Sequence, residues 1–357
     1  MTAPTHHQPL FHDWRGSAYD IGVQHGRTLA RQIVAECQPA LDAAVASSGR
    51  TIESFLAAYA QRYQPLFQEH APRAIDEIRG IAQGSGLGFP YAFFAATRDG
   101  ANLTLPPQEA CTAFYCAGNT TTDGHVLLGQ TKDTGAPLER YHIMRRTYDD
   151  GLAVLTLNYA GWIANIGLNS HGVACTGNSL YAQPAQVPTV PFSLMRCLIA
   201  EARSAEDFRG RMDELVVENG CFIVADATGR AFCFESVAGR RDCRDISDQA
   251  FGHANTILCP ALKPYQDSKC ETPSSPYRQK NIQKSLDTAA GRLNADVAKS
   301  ILSDHTDAPM SVCLHPTERD AIFTTAAMIA DCTAGAVEIA IGRPCETPFH
   351  RYDVRPR

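Results

Sequence analysis

The sequence of 357 residues predicts an α+β protein in which mainly antiparallel sheets pack together with helices outside them. Three observations carry that expectation. Extended runs come in hairpin-linked groups. Helical segments fall in pairs between those groups, so the strict β-α-β alternation of a doubly wound sheet is missing. Nucleotide fingerprints are absent too: there is no Walker A sequence, and GSGLG at 84–88 lacks the spacing of G-x-G-x-x-G.

The first hundred residues read as helical. Ser17 can cap a helix through IGVQHGRTLARQIVAEC, and Thr51 can start a second, with Ile52, Leu56, Tyr59 and Tyr63 at helical spacing. Pro72 suits a first helical turn, and Gly84–Gly86 ends AIDEIRGIAQ. A short segment, PYAFFAATR, follows, and ANLTLPPQEA reads as an exposed linker. At Cys111 the character changes: CTAFYCAG and HVLLGQTKD are extended, joined through Thr122-Asp123-Gly124, where Asp-Gly signals a hairpin. RYHIMRRTY, LAVLTLNYA, WIANIGLN and GVACTGN continue as strands. PFSLMRCLIAEAR and a segment capped by Ser204 form a helical pair. CFIVADA, AFCFESVA and HANTIL return to strand. RQKNIQKSLDTAAG and NADVAKSILSD are helical, and SVCLH, AIFTTAAMIAD and AVEIAIGR close the chain as strands.

Charge and cysteine usage narrow the function. With 32 basic against 38 acidic side chains (net −6) and no basic run, nucleic acid is not the expected partner. No apolar run is long enough to span a membrane, and MTAPTHHQPLFHDW shows no secretory signal, so a cytoplasmic protein without a membrane partner is expected. Its thirteen cysteines should then stay reduced, most of them as small buried hydrophobes, for example Cys197 and Cys233. There is no C-x-x-C pair and no H-E-x-x-H, so neither a metal nor an organic cofactor is expected. A G-x-S-x-G nucleophile elbow is also missing.

The junction at Cys111 is where chemistry fits. A linker meets a cysteine that opens a strand. If the Ala110–Cys111 bond were cut, Cys111 would carry its own base, because a free α-amine has a pKa of about 7.7–8.0. Nucleophile and base in one residue is the arrangement of N-terminal Thr, Ser and Cys enzymes. The thiol could cut the bond itself by attacking the Ala110 carbonyl and forming a thioester that water hydrolyses. From position alone, Cys111 reads first as one more buried strand cysteine.

Ten segments appear in order that together resemble one family. They are DIGVQHG (20–26), DEIRGIAQG (76–84), ATRDG (96–100), CTAFYC (111–116), GQTKD (129–133), GLNSHGVACTGN (167–178), ENGCFIVADATGRAFCFES (218–236), HANTILCP (253–260), PMSVC (309–313) and AIGRP (340–344). The resemblance is to the acyl-coenzyme A:6-aminopenicillanate acyltransferase family. These are autoproteolytic N-terminal-nucleophile enzymes, similar in catalytic core to bile-salt hydrolases and penicillin V acylase. It implies a four-layer αββα fold, made as a precursor and cut between Ala110 and Cys111, with a helical 1–110 fragment staying wrapped around a catalytic 111–357 fragment in one domain.

The resemblance also implies roles. Cys111 matches the nucleophile, and Asp133 the aspartate that holds its α-amine. Asn178 and Asn255 match the polar pair at the reacting carbonyl, Asn255 being the expected oxyanion donor; turn chemistry is the ordinary work of such asparagines. Arg278 resembles an arginine that organises the bile-salt hydrolase site, against the alternative of a helix-surface arginine. Ser236 and Ser311 match serines tied to processing or site structure. Two departures stand out: Ala110 precedes the nucleophile where the penicillin enzyme has glycine, and Thr131 and Lys132 replace Asn and Trp, reshaping one pocket wall. Asp133 reads otherwise as a hairpin surface charge, with Lys132 its solvated neighbour.

The expected activity is hydrolysis of a linear amide in a small N-acyl or aminoacyl compound. Transfer of an acyl group from acyl-CoA or an amide to an amine is the alternative, and a non-catalytic binding protein is a second one. Expected partners are the small amide substrate and the chain's own cleaved N-terminal fragment, with acyl-CoA and a homo-oligomer left open.

Overall fold

The computed structural model describes residues 10–98, 109–135, 137–185, 187–267, 272–318 and 320–355. Four helices open the chain: α1 (Ala18–Ser48), α2 (Ile52–His70), α3 (Pro72–Ser85) and α4 (Phe89–Thr97). Their boundaries follow from local chemistry. The hydroxyls of Ser17 and Thr51 accept hydrogen bonds from the backbone N–H of Asp20 and Ser54, capping α1 and α2. Pro72 opens α3 where its missing N–H costs nothing, and Gly86, at φ 74°, ends it in the left-handed region. Most of the linker, up to residue 108, lies outside the described residues.

The remaining helices are α5 (Phe192–Glu201), α6 (Ala205–Met212), α7 (Ser275–Ala289) and α8 (Ala295–Leu302). The strands run from β1 (Leu10–Gly16) through β2 (Glu109–Gly118), β3 (Gly124–Thr134), β4 (Tyr141–Tyr148), β5 (Ala153–Tyr159), β6 (Ile166–Asn169) and β7 (Ala174–Asn178). They continue with β8 (Gly220–Ala225), β9 (Ala231–Val237), β10 (Arg240–Asp245), β11 (Phe251–His253), β12 (Phe323–Asp331), β13 (Ala336–Ile341) and β14 (His350–Asp353).

Two sheets result. The eight-stranded sheet has the order β1-β4-β5-β6-β7-β8-β9-β10, and the six-stranded sheet β11-β2-β3-β12-β13-β14. All pairings are antiparallel except β1 with β4. Three apolar clusters define the layers. One packs α1–α6 on the outer face of the large sheet, through Ile33, Phe93, Phe208, Phe222 and Phe234. A second fills the space between the sheets with Tyr115, Leu128, Leu155 and Ile339. The third seats Ile282 and Leu286 of α7 and Leu302 of α8 against Phe114, Leu127 and Ile329 of the small sheet. The fold is a four-layer αββα sandwich, as expected.

The differences from expectation lie at edges and ends. The first hundred residues are not wholly helical: Leu10–Gly16 adds a parallel edge strand to β4. Its LFHDWRG is mostly exposed, so it lacks the apolar alternation that marks a half-buried strand. The exposed strand β10 and the short β14 were likewise unmarked. HANTIL forms a strand only up to His253, because Glu235 takes the N–H groups of Leu258 and Cys259, each at 2.7 Å, and turns the chain away. SVCLH is irregular rather than a strand. Nine of the twelve described cysteines are buried. Among the described residues no helix is long and apolar enough to cross a membrane.

Candidate functional site

The start of β2 and the end of β3 lie side by side. Ala110 pairs with Asp133 and Cys111 with Lys132. Ala113 and Tyr115 of β2 belong to the inter-sheet core, whereas Phe114 and Cys116 belong to the α7/α8 side. By the two-residue period of a strand, Cys111 and Lys132 face the space between the sheets. Paired side chains on one face of an antiparallel sheet have Cβ atoms about 4.5–5.5 Å apart.

Besides β3, two elements converge on Cys111. Its backbone N–H donates to Oδ1 of Asn255 at 2.9 Å, in the loop after β11. Its carbonyl oxygen accepts from Nη1 of Arg278, on α7, at 2.6 Å. The same guanidinium donates to Thr112 Oγ1 (2.9 Å), to Asn255 Oδ1 (2.9 Å) and, through Nε, to Ser274 Oγ (3.0 Å). Arg278 is fully buried, not a helix-surface arginine. Burial pulls its pKa below the ordinary arginine value, against the raising effect of Asp133 and Cys111.

Asp133 is 0% exposed, which rules out a surface hairpin charge. Its Oδ1 accepts from the hydroxyl of Thr324 at 2.7 Å and its Oδ2 from that of Thr131 at 3.4 Å. Burial raises its pKa to about 6; Arg278, the two hydroxyls and Lys132 all pull the other way. In the uncut chain Asp133 stands cross-strand from Ala110, while the Cys111 N–H goes to Asn255. Lys132 is only 5% exposed, not a solvated neighbour, and among the described residues its Nζ makes no hydrogen bond or ion pair.

Asn255 also donates from Nδ2 to the Ser179 carbonyl at 2.9 Å, so one of its two amide hydrogens is committed to the fold. Asn178, ending β7, donates to the carbonyls of His253 (2.9 Å) and Ala254 (3.0 Å), which fixes the segment leading to Asn255. Its buried Oδ1 has no partner among the described residues. Gln130 ties the sheets together here: its amide exchanges two hydrogen bonds with the Gly177 backbone, at 2.7 and 2.8 Å.

Sequence reasoning missed Glu235 and His253. Their side chains meet at 2.8 Å, fully inside the protein. Burial would raise the Glu235 carboxyl, yet His253 and the two backbone donors outweigh it and hold the pKa below the ordinary value. The pair shapes the loop that presents Asn255. An ionisable pair ending two apolar runs, AFCFE and FGH, was the available signal.

The two serines are not brought to Cys111. Ser236 shares the outer face of β9 with Phe232 and Phe234, and its hydroxyl donates to the Val217 carbonyl at 2.6 Å. Ser311 donates to the Cys313 carbonyl at 2.7 Å and shapes the loop before Leu314. That loop reaches Asp133, because the Leu314 N–H donates to Thr324 Oγ1 at 2.8 Å. Cys116 packs towards α7 and α8, and burial pushes its thiol up to about 12. A groove of about 700 Å³ beside Tyr19, Arg79 and Phe89 is formed by α1–α4 and contains none of these residues.

The chain is 24% identical over 195 residues to the acyl-coenzyme A:6-aminopenicillanic-acid-acyltransferase 40 kDa form of Emericella nidulans, a stretch covering 54% of this chain. The chain spans about half the length of that relative (53%). Among solved structures, a conjugated bile acid hydrolase mutant from Clostridium perfringens matches at TM-score 0.45 and 11% identity, over 69% of this chain and 97% of the other. Penicillin V acylase from Agrobacterium tumefaciens matches at TM-score 0.45 and 12% identity, over 68% and 86%. Residues 120–346, well over half of the chain and including Asp133, Asn178, Asn255, Arg278 and Ser311, match the family described as acyl-coenzyme A:6-aminopenicillanic acid acyl-transferase, and the chain belongs to that family.

Proposed function

We propose that the protein is a self-processing N-terminal cysteine amidohydrolase that cleaves a linear amide in a small N-acyl or aminoacyl compound. The observation that carries this reading is the grip on Cys111: Asn255 holds its backbone nitrogen at 2.9 Å and Arg278 its carbonyl oxygen at 2.6 Å. Buried backbone groups in a strand ordinarily pair with other backbone groups; here both are held by side chains, one of them a fully buried arginine.

In processing, the Cys111 thiol attacks the Ala110 carbonyl, and the bond to the Cys111 nitrogen breaks. Water hydrolyses the resulting thioester, releasing a carboxylate on Ala110 and an α-amine on Cys111. The chain becomes fragments 1–110 and 111–357. That amine starts beside Asn255, and the departure of Ala110 opens the way to Asp133. In turnover the amine takes the thiol proton, the thiolate adds to the substrate carbonyl, and the second Nδ2 hydrogen of Asn255 faces the oxyanion. The α-ammonium then protonates the leaving amine, and water resolves the thioester. One well-placed amide donor is worth about 3–4 kcal/mol of transition-state stabilisation.

Lys132 bears on the substrate. A buried ammonium on the face of Cys111, without an ion pair among the described residues, favours an acyl compound carrying a negative charge near the scissile bond. Lys132→Met should then raise KM for an anionic substrate with little change for its neutral analogue.

The test has two parts. Intact-mass analysis should find fragments of roughly 12 and 27 kDa, scaled from 38.8 kDa by residue count, and a single uncut chain for Cys111→Ala. Processed protein is then offered N-acyl amides, and acyl-CoA with and without an amine acceptor. Free acid from the amide supports the hydrolase; acyl transfer at the expense of hydrolysis supports the transferase. An uncut wild-type chain whose Cys111 resists iodoacetamide overturns both.

A further inference from the structure

We propose that His305, Cys313, His315 and Cys345 form a structural zinc site, in the loops that lead into β12 and out of β13. Their ligating atoms lie within 4.8 Å of one another. The two sulfurs are 3.6 Å apart, Cys345 Sγ is 3.4 Å from His315 Nε2, and the two Nε2 atoms are 3.0 Å apart. Zinc bonds of about 2.3 Å to sulfur and about 2.0–2.1 Å to nitrogen, arranged tetrahedrally, require edges of about 3.8, 3.6 and 3.3 Å respectively. The three observed separations follow that order and fall within a few tenths of an ångström of it.

The donor set points to the same ion. Two thiolates and two imidazoles suit zinc, whereas calcium and magnesium demand oxygen. The neighbouring cation, Arg343, is paired with Glu346 at 2.6 Å. Binding releases one proton from each thiol, so that two thiolate charges balance Zn²⁺ and both histidines stay neutral. All four positions come from protein, which makes the site closed and structural, not catalytic.

Its place in the fold gives it a consequence. His305 follows α8, Cys313 and His315 precede β12, and Cys345 follows β13, so the ion would clamp three loops. Between Cys313 and His315 sits Leu314, whose N–H donates to Thr324 and whose carbonyl accepts from the Thr324 N–H at 3.0 Å. Thr324 in turn holds Asp133. The sequence does not announce this cluster, because its members come from three segments and only Cys313-x-His315 is local.

The experiment is elemental analysis of the untagged full chain, purified without chelator from zinc-supplemented cells. The expected result is one zinc per chain, with an X-ray absorption edge showing two sulfur and two nitrogen neighbours. Cys345→Ser should lose the metal. His305→Gln, which alters the exposed ligand and leaves the buried Cys313 and the half-buried His315 and Cys345, should fold normally and release zinc at a chelator concentration that leaves wild type loaded. Wild type that neither retains nor takes up zinc overturns the proposal. So does a Cys313–Cys345 disulfide by mass spectrometry, or zinc retained in full by both variants. None of these readouts depends on the activity proposed above.

Discussion

The carbonyl oxygen of Cys111 accepts a 2.6 Å hydrogen bond from Nη1 of Arg278, while Nη2 of the same guanidinium reaches Asn255 Oδ1 at 2.9 Å. One planar group thus sets the distance between the main chain of Cys111 and the asparagine that holds its nitrogen. A lysine can occupy the space but cannot reproduce the fork. Losing one charge-assisted bond of about 1.5–3 kcal/mol predicts that Arg278→Lys slows turnover about 10- to 100-fold. The check is kcat/KM of processed protein beside a thermal melt; turnover within twofold of wild type would show that the fork does not matter.

If Asn255 holds the Cys111 nitrogen through Oδ1 and an oxyanion through Nδ2, a pair of variants separates the two. Asn255→Ala removes both and should lower kcat by about 10²–10³. Asn255→Asp keeps an oxygen for the Cys111 nitrogen but donates no hydrogen. If Nδ2 faces the oxyanion, the aspartate variant should self-cleave and yet turn over as slowly as the alanine variant. An aspartate variant with near-normal kcat refutes oxyanion donation by Asn255 and leaves it a positioning residue.

The layers were legible because most strands are apolar extended runs and half of the described helices carry a side-chain cap. Ser17, Thr51 and Ser204 each accept the backbone N–H that capping requires. The exposed edge strands β1, β10 and β14 were not, since an edge strand owes its existence to a neighbour distant in sequence. The site divides in the same way. Cys111, Asp133, Asn178, Asn255 and Arg278 were named from resemblance, and geometry brings them together. The burial of Lys132 was hidden, because a lysine near a strand end ordinarily reaches water. Glu235 and His253 were hidden because their importance lies in a contact between different sheets.

Asp133 makes a pH prediction about the uncut chain. Its folded pKa of about 6 lies above the ordinary aspartate value of 3.8, so the folded state holds the proton more tightly than the unfolded one. Its contribution to stability is therefore most favourable below 3.8 and is lost as pH rises through about 6. Asp133→Asn removes that dependence. In a Cys111→Ala background, the Tm of the asparagine variant relative to its parent should be higher at pH 7.5 than at pH 4.5. The attraction of Arg278 acts only on the ionised carboxylate and is already contained in that pKa; the absolute offset also holds the pH-independent change of hydrogen bonding, so only the difference between the two pH values decides. A difference that is flat, or of opposite sign, contradicts a raised pKa.

The helical layer makes its own prediction through glycine. Helices α1 and α3 touch backbone to backbone: a Cβ on Gly22 would stand 2.0 Å from the Glu77 carbonyl oxygen, and one on Gly80 would stand 2.1 Å from that of Tyr19. Neither obstacle is a side chain that could swing aside, so the helices must separate. Gly80→Ala should destabilise the protein by about 1–3 kcal/mol through overpacking. That outcome opposes the gain of about 1 kcal/mol that alanine brings to a helix interior. Gly210, inside α6, supplies the control, because a Cβ there meets nothing within 4 Å. Gly210→Ala should therefore raise Tm where Gly80→Ala lowers it, and parallel thermal melts measure both. If the two substitutions move Tm in the same direction, close approach of α1 and α3 is not what the glycine at 80 provides.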